Sequence, residues 1–220
     1  ARIEELRAEG EKVIESIREE SVHVIYGARE WFERFRWFIT SGGKLVIAGR
    51  DATQNEVIVR HYLRPWDIYV HADIPGAAAV VIRLADPNDN ASNDDIYEAA
   101  QYAAAYSRAW VMGLSVLDVF YVRGEQVTKK APSGEYLGKG SFMIYGTRGW
   151  VRNVELRLGV GVRIDNLNDA SLIRLITAPL STIGSLTNYY VVLRPGSRDK
   201  ISISKEIYNW FKSKMLGFTK

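Results

Sequence analysis

The sequence predicts an α/β (α+β) protein, a mixed, largely antiparallel sheet with packed helices, preceded by a coiled-coil helical arm. Three observations carry that expectation. Strand-like runs flank tight turns such as Ser41-Gly42-Gly43, so neighbours pair as hairpins rather than through long crossovers. An Ala-rich stretch from about Asp94 to Met112 repeats small and apolar residues at helical spacing. The N-terminal residues repeat apolar positions at intervals of 3 and 4.

Taken in order, Ile3, Leu6, Gly10, Val13 and Ile17 trace an a/d seam, weakened at Gly10. The chain opens as ARIEELRAEG, mid-helix and without methionine, so it reads as an excised piece of a longer protein. The five aromatics of WFERFRWFI (Trp31, Phe32, Phe35, Trp37 and Phe38) could stack bases, but core packing explains them more simply. Arg36–Thr40 and Lys44–Ala48 form the first expected hairpin. In GRDATQNEVIVRHYL, Asp51 can cap a helix while Gln54 reaches back, and Arg64-Pro65 ends it.

DIYVHA alternates as a strand, and GAAAVVIRLA follows as a second, largely buried one. The loop DPNDNASND leads into the long helix, where Ile96, Ala100, Ala103, Ser107 and Trp110 form one packing stripe and Gly113 closes the end. VLDVFYVR, QVTKK, SFMIYG, VELRLGVGVRI, LIRLITA and NYYVVLR read as strands. A last helix from about Ser204 to Met215 is expected to bury Ile207, Trp210 and Phe211. The organisation expected is an arm over residues 1–27, an α/β domain over 28–152 and an α+β extension over 153–220 that can continue the same sheet.

Composition narrows the function classes. With 220 residues and 47% hydrophobic content the chain can bury a sizeable core. No apolar run approaches the roughly 20 residues of a membrane span, so no membrane partner is expected. The absence of cysteine excludes disulfides and thiolate metal sites and fits a cytoplasmic location. The net charge of +3 conceals strong segmentation. Residues 65–122 carry two basic against eight acidic side chains, whereas 123–152 carry six against two and 194–220 seven against two. Such asymmetry points to a surface facing a polyanion.

The motifs exclude several chemistries. KKAPSGEYLGKGSFMIYG, residues 129–146, is not a P-loop: three residues separate Gly134 from Gly138 where four are needed, and Gly140 follows Lys139 where Ser or Thr belongs. The histidines, His23, His61 and His71, make no recognised metal-ligand spacing, so no metal and no cofactor are expected. His71 and Asp73 share one strand face, and with Asp51 they could form a metal-dependent site that cleaves RNA phosphoesters, although nothing nominates a nucleophile. A protein-docking scaffold is a further alternative. What the residues support best is a basic surface of Arg123, Lys129, Lys130, Lys139 and Arg148, with Ser133 in a turn whose amides could cradle an anion. Lys129 and Lys130 are both expected to be free, so reversing their charge should weaken RNA binding and leave stability nearly unchanged.

The runs WFITSGGKLVIAGRDATQNE, YLRPWDIYVHADIPGAAAVVI, AYSRAW and KKAPSGEYLGKGSFMIYG, in that order, resemble the NFACT-R domain. This is the RNA-binding domain of the family that contains the nuclear export mediator factor, RqcH and proteins once called fibronectin-binding; here the archaeal type of ribosome quality control factor is suggested. The resemblance spans about Trp31 to Arg152, and a coiled-coil hairpin precedes the domain in that family. It implies a factor that binds large ribosomal subunits carrying stalled peptidyl-tRNA and supports untemplated tailing of the nascent chain. The implied partners are tRNA, large-subunit RNA, and the N-terminal domain and coiled-coil hairpin of the full-length protein. The family's tRNA-contacting Asp-Arg signature is not found in this sequence, so RNA binding without catalysis is expected of it. Carried over by resemblance are the segments holding Arg50, Asp51, Gln54 and Asn55 and residues 129–141; with His71 these complete the RNA-contacting candidates.

Overall fold

The computed structural model describes residues 30–130, 137–167 and 170–215. The predicted arm and the Ser133 turn lie outside the described residues. The chain divides into two compact units, one comprising Glu30–Arg163 with Arg174–Lys220, the other Ala1–Arg29 with Ile164–Ile173. The first of these holds the main sheet.

The strands are β1 (Arg36–Ile39), β2 (Leu45–Ala48), β3 (Ile68–Ala72), β4 (Val80–Ile82), β5 (Val116–Arg123), β6 (Val127–Thr128), β7 (Met143–Ile144), β8 (Gly149–Glu155), β9 (Leu158–Leu167), β10 (Ala170–Ala178) and β11 (Tyr190–Leu193). The helices are α1 (Ala52–Val57), α2 (Asn93–Ala105), α3 (Leu180–Leu186) and α4 (Lys200–Met215). Six strands form the main sheet in the order β1-β2-β4-β3-β5-β8. Every pairing within it is antiparallel.

The sheet is covered on both faces, which is why its central strands read as continuous apolar runs. On one face Phe38, Val46, Val70, Val80 and Ile82 pack under Ala99, Ala100, Ala103 and Ala104 of α2. Alanines let the helix backbone approach the sheet closely. On the other face Ile47, Tyr69, Val81, Phe120 and Val122 pack with Phe35 and Ile58. Burying each such large side chain contributes about 1.5–3 kcal/mol relative to exposure.

Local chemistry explains where elements begin and end. Asp51 caps α1 by accepting from Gln54 N at 2.9 Å, as the sequence predicts, although Gln54 Oε1 reaches back to Arg50 N (3.1 Å) rather than to the cap residue. After α1 the chain widens into a π-helical turn, Ile58–Tyr62, closed by Leu63 N donating to Ile58 O at 2.9 Å. It stops before Pro65, which disfavours helical geometry in the residue preceding it. Asp67, fully buried, accepts from Arg64 N and Leu84 N and pairs with Arg64 and Arg83, so it pins the start of β3.

Helix α2 begins with a capping box between Ser92 and Asp95. It ends at Ala105, short of the predicted Met112. Tyr106 leaves helical geometry (φ −99, ψ 39), and the Ser107 hydroxyl donates to Ala104 O while accepting from Ala109 N. A hydroxyl bonding its own neighbours competes with the helix ladder.

The run VELRLGVGVRI is likewise not one strand. It breaks at Leu156-Arg157, where Leu156 N donates to Ser115 O, and the main sheet ends with β8. Strands β10, β9 and β11 make a separate three-stranded sheet. Leu156, Leu158, Ala178 and Ile183 nevertheless join the α2-side core, so the extension shares that core. Helix α3 has no counterpart among the predicted elements, and α4 starts at Lys200, four residues before the predicted Ser204; Phe211 is buried, while Ile207 and Trp210 are half-buried.

Candidate nucleic-acid interface

At one end of the main sheet β1 begins, β2 ends, β4 begins and β3 ends. A cleft of about 390 Å³ lies across these strand ends. It is lined by Arg50, Asp51, Ala52 and Asn55 around the start of α1, by Tyr69 and His71 from β3, by Phe120 from β5, and by Lys139–Phe142 from the turn before β7. Arg36 and Tyr106 close the far side, the Arg36 guanidinium lying 4.3 Å from the Tyr106 ring and donating to Gly49 O at 2.5 Å.

Close backbone approaches shape this cleft. Gly140 has φ +77, and a Cβ there would stand 2.9 Å from the Ala52 Cβ, so the 138–141 turn can press directly on α1. At Gly49 a Cβ would fall 2.0 Å from Asn55 Oδ1. Asn55 is 7% exposed, and both ends of its amide are engaged: Nδ2 donates to Ala77 O (3.2 Å) and Oδ1 accepts from Ala79 N (3.0 Å). Gln54 donates to Arg34 O at 3.2 Å. These two amides therefore hold the cleft wall together.

The cations differ in freedom. Arg50 is exposed, with long contacts to Phe35 O (3.3 Å) and Glu33 O (3.4 Å) that leave most of its fork available. Lys139 is exposed and lines both this cleft and an adjoining hollow that holds Glu56, Arg60 and His61. Arg148 lies over the Phe120 ring at 4.6 Å. Lys130 is exposed. Lys129, expected to be free, donates to Gly138 O (2.7 Å) and Ser141 O (3.2 Å) and stands 3.5 Å from Glu56 Oε2. It is a clasp that holds the 138–141 turn against α1.

Arg123 is directed elsewhere, bonding Trp66 O and Asn90 Oδ1 at 2.9 Å each. It lines a different hollow, with Asn90, Ile96 and Tyr121. The structure thus brings together Arg50, Gln54, Asn55, His71, Lys139 and Arg148, with Lys129 beneath them, and sets Arg123 apart. Sequence reasoning missed Arg36, Phe120 and Phe142. The available signal was that Phe120, paired with His71 across the sheet, had to share its face.

His71 is held below its ordinary 6.5, chiefly by burial, with Arg148 adding to the effect; the carbonyls of Ala72 and Ala77 and the Asp73 carboxylate act against it. It is therefore neutral near pH 7. Burial pushes the Tyr69 phenol up, so it too stays uncharged. Glu56 feels desolvation upward, but the Gly140 N–H, Lys129 and Arg60 outweigh it and hold the carboxyl below its usual value. Among the described residues lining the cleft, Asp51 is the one carboxylate, and it already caps α1. Among the described residues no group of three His, Cys, Asp or Glu side chains could hold a metal ion. This set can neutralise phosphates at its mouth and present aromatic faces within.

Comparison with known proteins agrees with that chemistry. The sequence profile of the NFACT protein RNA binding domain matches residues 34–146, just over half of the chain. The archaeal Rqc2 homolog aRqcH of Methanocaldococcus jannaschii is 39% identical over 184 residues, covering 84% of this chain and 26% of that protein. The ribosome quality control complex subunit NEMF homolog of Drosophila melanogaster is 46% identical over 132 residues, or 60% of this chain and 13% of the relative. Human ribosome quality control complex subunit NEMF is 44% identical over 129 residues, or 59% and 12%. The chain thus spans about a quarter or less of the length of these relatives. Among solved structures, the C-terminal part of the Streptococcus suis fibronectin/fibrinogen-binding protein covers 60% of this chain and 47% of that one at TM-score 0.46 and 17% identity, a likeness too loose to argue from. On the profile match, the chain belongs to the NFACT protein RNA-binding domain family.

Proposed function

We propose that this chain is the RNA-binding module of a ribosome quality control factor, and that it engages tRNA or large-subunit RNA through the strand-end cleft and its basic rim. The observation that supports this reading is the grouping of Arg50, Lys139 and Arg148 around one aromatic cleft where the carboxylate among the described lining residues, Asp51, already caps α1. Lysines and arginines so placed meet phosphates, which fixes register, while the rings within meet bases. In the whole protein the module would bind large subunits with stalled peptidyl-tRNA and work with an N-terminal domain and coiled-coil hairpin to support untemplated tailing, in the cytoplasm. The module itself binds RNA without cleaving it.

A salt titration tests the reading. If Arg50, Lys130, Lys139 and Arg148 neutralise about four phosphates, log affinity for tRNA against log salt has a slope near −3 to −4. Lys130→Glu with Lys139→Glu lowers both affinity and slope. A flat response from about 50 to about 300 mM salt would sink the reading, since counterion release is unavoidable when phosphates are neutralised. The labelled tRNA stays intact with or without magnesium; metal-dependent cleavage lost in His71→Ala would show an enzyme instead.

A further inference from the structure

We infer that the strand-end cleft takes one unpaired nucleotide of the RNA, with its base inside against the aromatic wall and its flanking phosphates outside on Arg50 and Lys139. This rests on the RNA-binding reading and adds what kind of RNA feature the site selects.

The size of the cleft is the first reason. About 390 Å³ lies near the low end of the roughly 300–1,000 Å³ that holds one small ligand, so a single nucleotide enters and a duplex does not. The wall is the second. The His71 ring lies 6.0 Å from Tyr69 at an interplanar angle of 9°, and 5.6 Å from Phe120. Phe142 meets Tyr69 edge-on at 6.4 Å. Four rings from two strands and a turn thus line one small space, open at the side where Ser141 is exposed.

The distribution of charge sets the orientation. The exposed cations Arg50 and Lys139 stand at the mouth, whereas the cation on the far wall, Arg36, is already engaged by the Gly49 carbonyl and the Tyr106 ring. A phosphate driven inward would lose water and find only that engaged guanidinium, which is costly; a neutral base loses little. The turn that completes the wall is already clamped by Lys129 and seated on Ala52, so the cleft is formed before RNA arrives.

The test uses an RNA hairpin carrying 2-aminopurine as a single bulge, and a matched hairpin in which the same base is paired. With the 220-residue chain, the bulged probe is expected to bind about tenfold tighter, the scale of one base–aromatic stack, and its fluorescence to be quenched. Ser141→Trp, which fills the mouth, brings the ratio of the two affinities to about one. Phe142→Leu keeps apolar bulk, removes a stacking face and lowers both the ratio and the quench, so a folding failure in one variant does not shield the idea. A free nucleoside monophosphate competes weakly because it lacks the flanking phosphates. Equal affinity for the two hairpins, a ratio untouched by both variants, or free nucleotide competing as well as RNA would overturn the inference while leaving RNA binding standing. Failure of both hairpins to bind would remove the RNA-binding reading itself.

Discussion

Lys129 and Glu56 meet at 3.5 Å where the 138–141 turn folds back onto α1, and the same ammonium donates to the Gly138 and Ser141 carbonyls. The neighbouring Lys130 is exposed, its backbone N–H resting on Thr128 Oγ1 at 3.1 Å. Two adjacent lysines therefore have different duties, one inside the fold and one on its surface.

That difference predicts opposite outcomes for the same substitution. Lys129→Ala loses two charged hydrogen bonds to carbonyls, on the order of 1 kcal/mol, or about 2–4 °C of melting temperature in a chain of this size. Lys130→Ala leaves the melting temperature within error and weakens tRNA binding. Thermal melts of both variants beside a tRNA titration check the pair. If the two lysines behaved alike in the melts, the clasp would be wrong.

A second prediction concerns Asn55. Asn55→Ala removes a donor from the Ala77 carbonyl and leaves the Ala79 N–H without its partner in a buried place, at about 1–3 kcal/mol for that orphaned group. Gly49→Ala drives a methyl into the same amide and destabilises as well, because the carboxamide cannot move without breaking those bonds. Asn55→Asp gives no rescue, since a carboxylate cannot donate to Ala77 O. Chemical denaturation of the three variants checks this, with free-energy losses expected before any specific loss of RNA affinity.

Much of the fold is legible because its signals are local. The Ser41-Gly42-Gly43 hairpin, the Asp51 cap and the strand β3 depend on residues within a few positions of each other. Helix α2 is overextended by pattern alone because Ala-rich periodicity continues past Ala105, while the Ser107 hydroxyl, which bonds Ala104 O, gives no periodic signal. The candidate site is legible only in part. Arg50, His71 and Lys139 stand out in the sequence, yet their meeting at one end of the sheet depends on the strand order β2-β4-β3-β5, which pattern does not encode. Lys129 looks like any exposed lysine, since its partners Glu56 and Gly138 lie in segments brought together only by folding.

The last prediction uses pH. His71 has its folded-state value below the ordinary 6.5 because burial disfavours the charged ring, so just below 6.5 the unfolded chain binds more protons than the folded one. Stability from this group is therefore complete above 6.5, declines as pH falls below it, and stops declining once the folded-state value is passed. The carboxylates held low, Glu56 and Asp118 among them, have the same sign but act at lower pH, below their ordinary values of 4.5 and 3.8. The melting temperature of the chain should then fall from about pH 7 to about pH 5, where few groups other than histidine titrate. His71→Gln removes much of that decline while retaining a polar group in the cleft wall. Melts of the two proteins across this range give the comparison. A decline that survived in His71→Gln would show that this imidazole is not the group responsible.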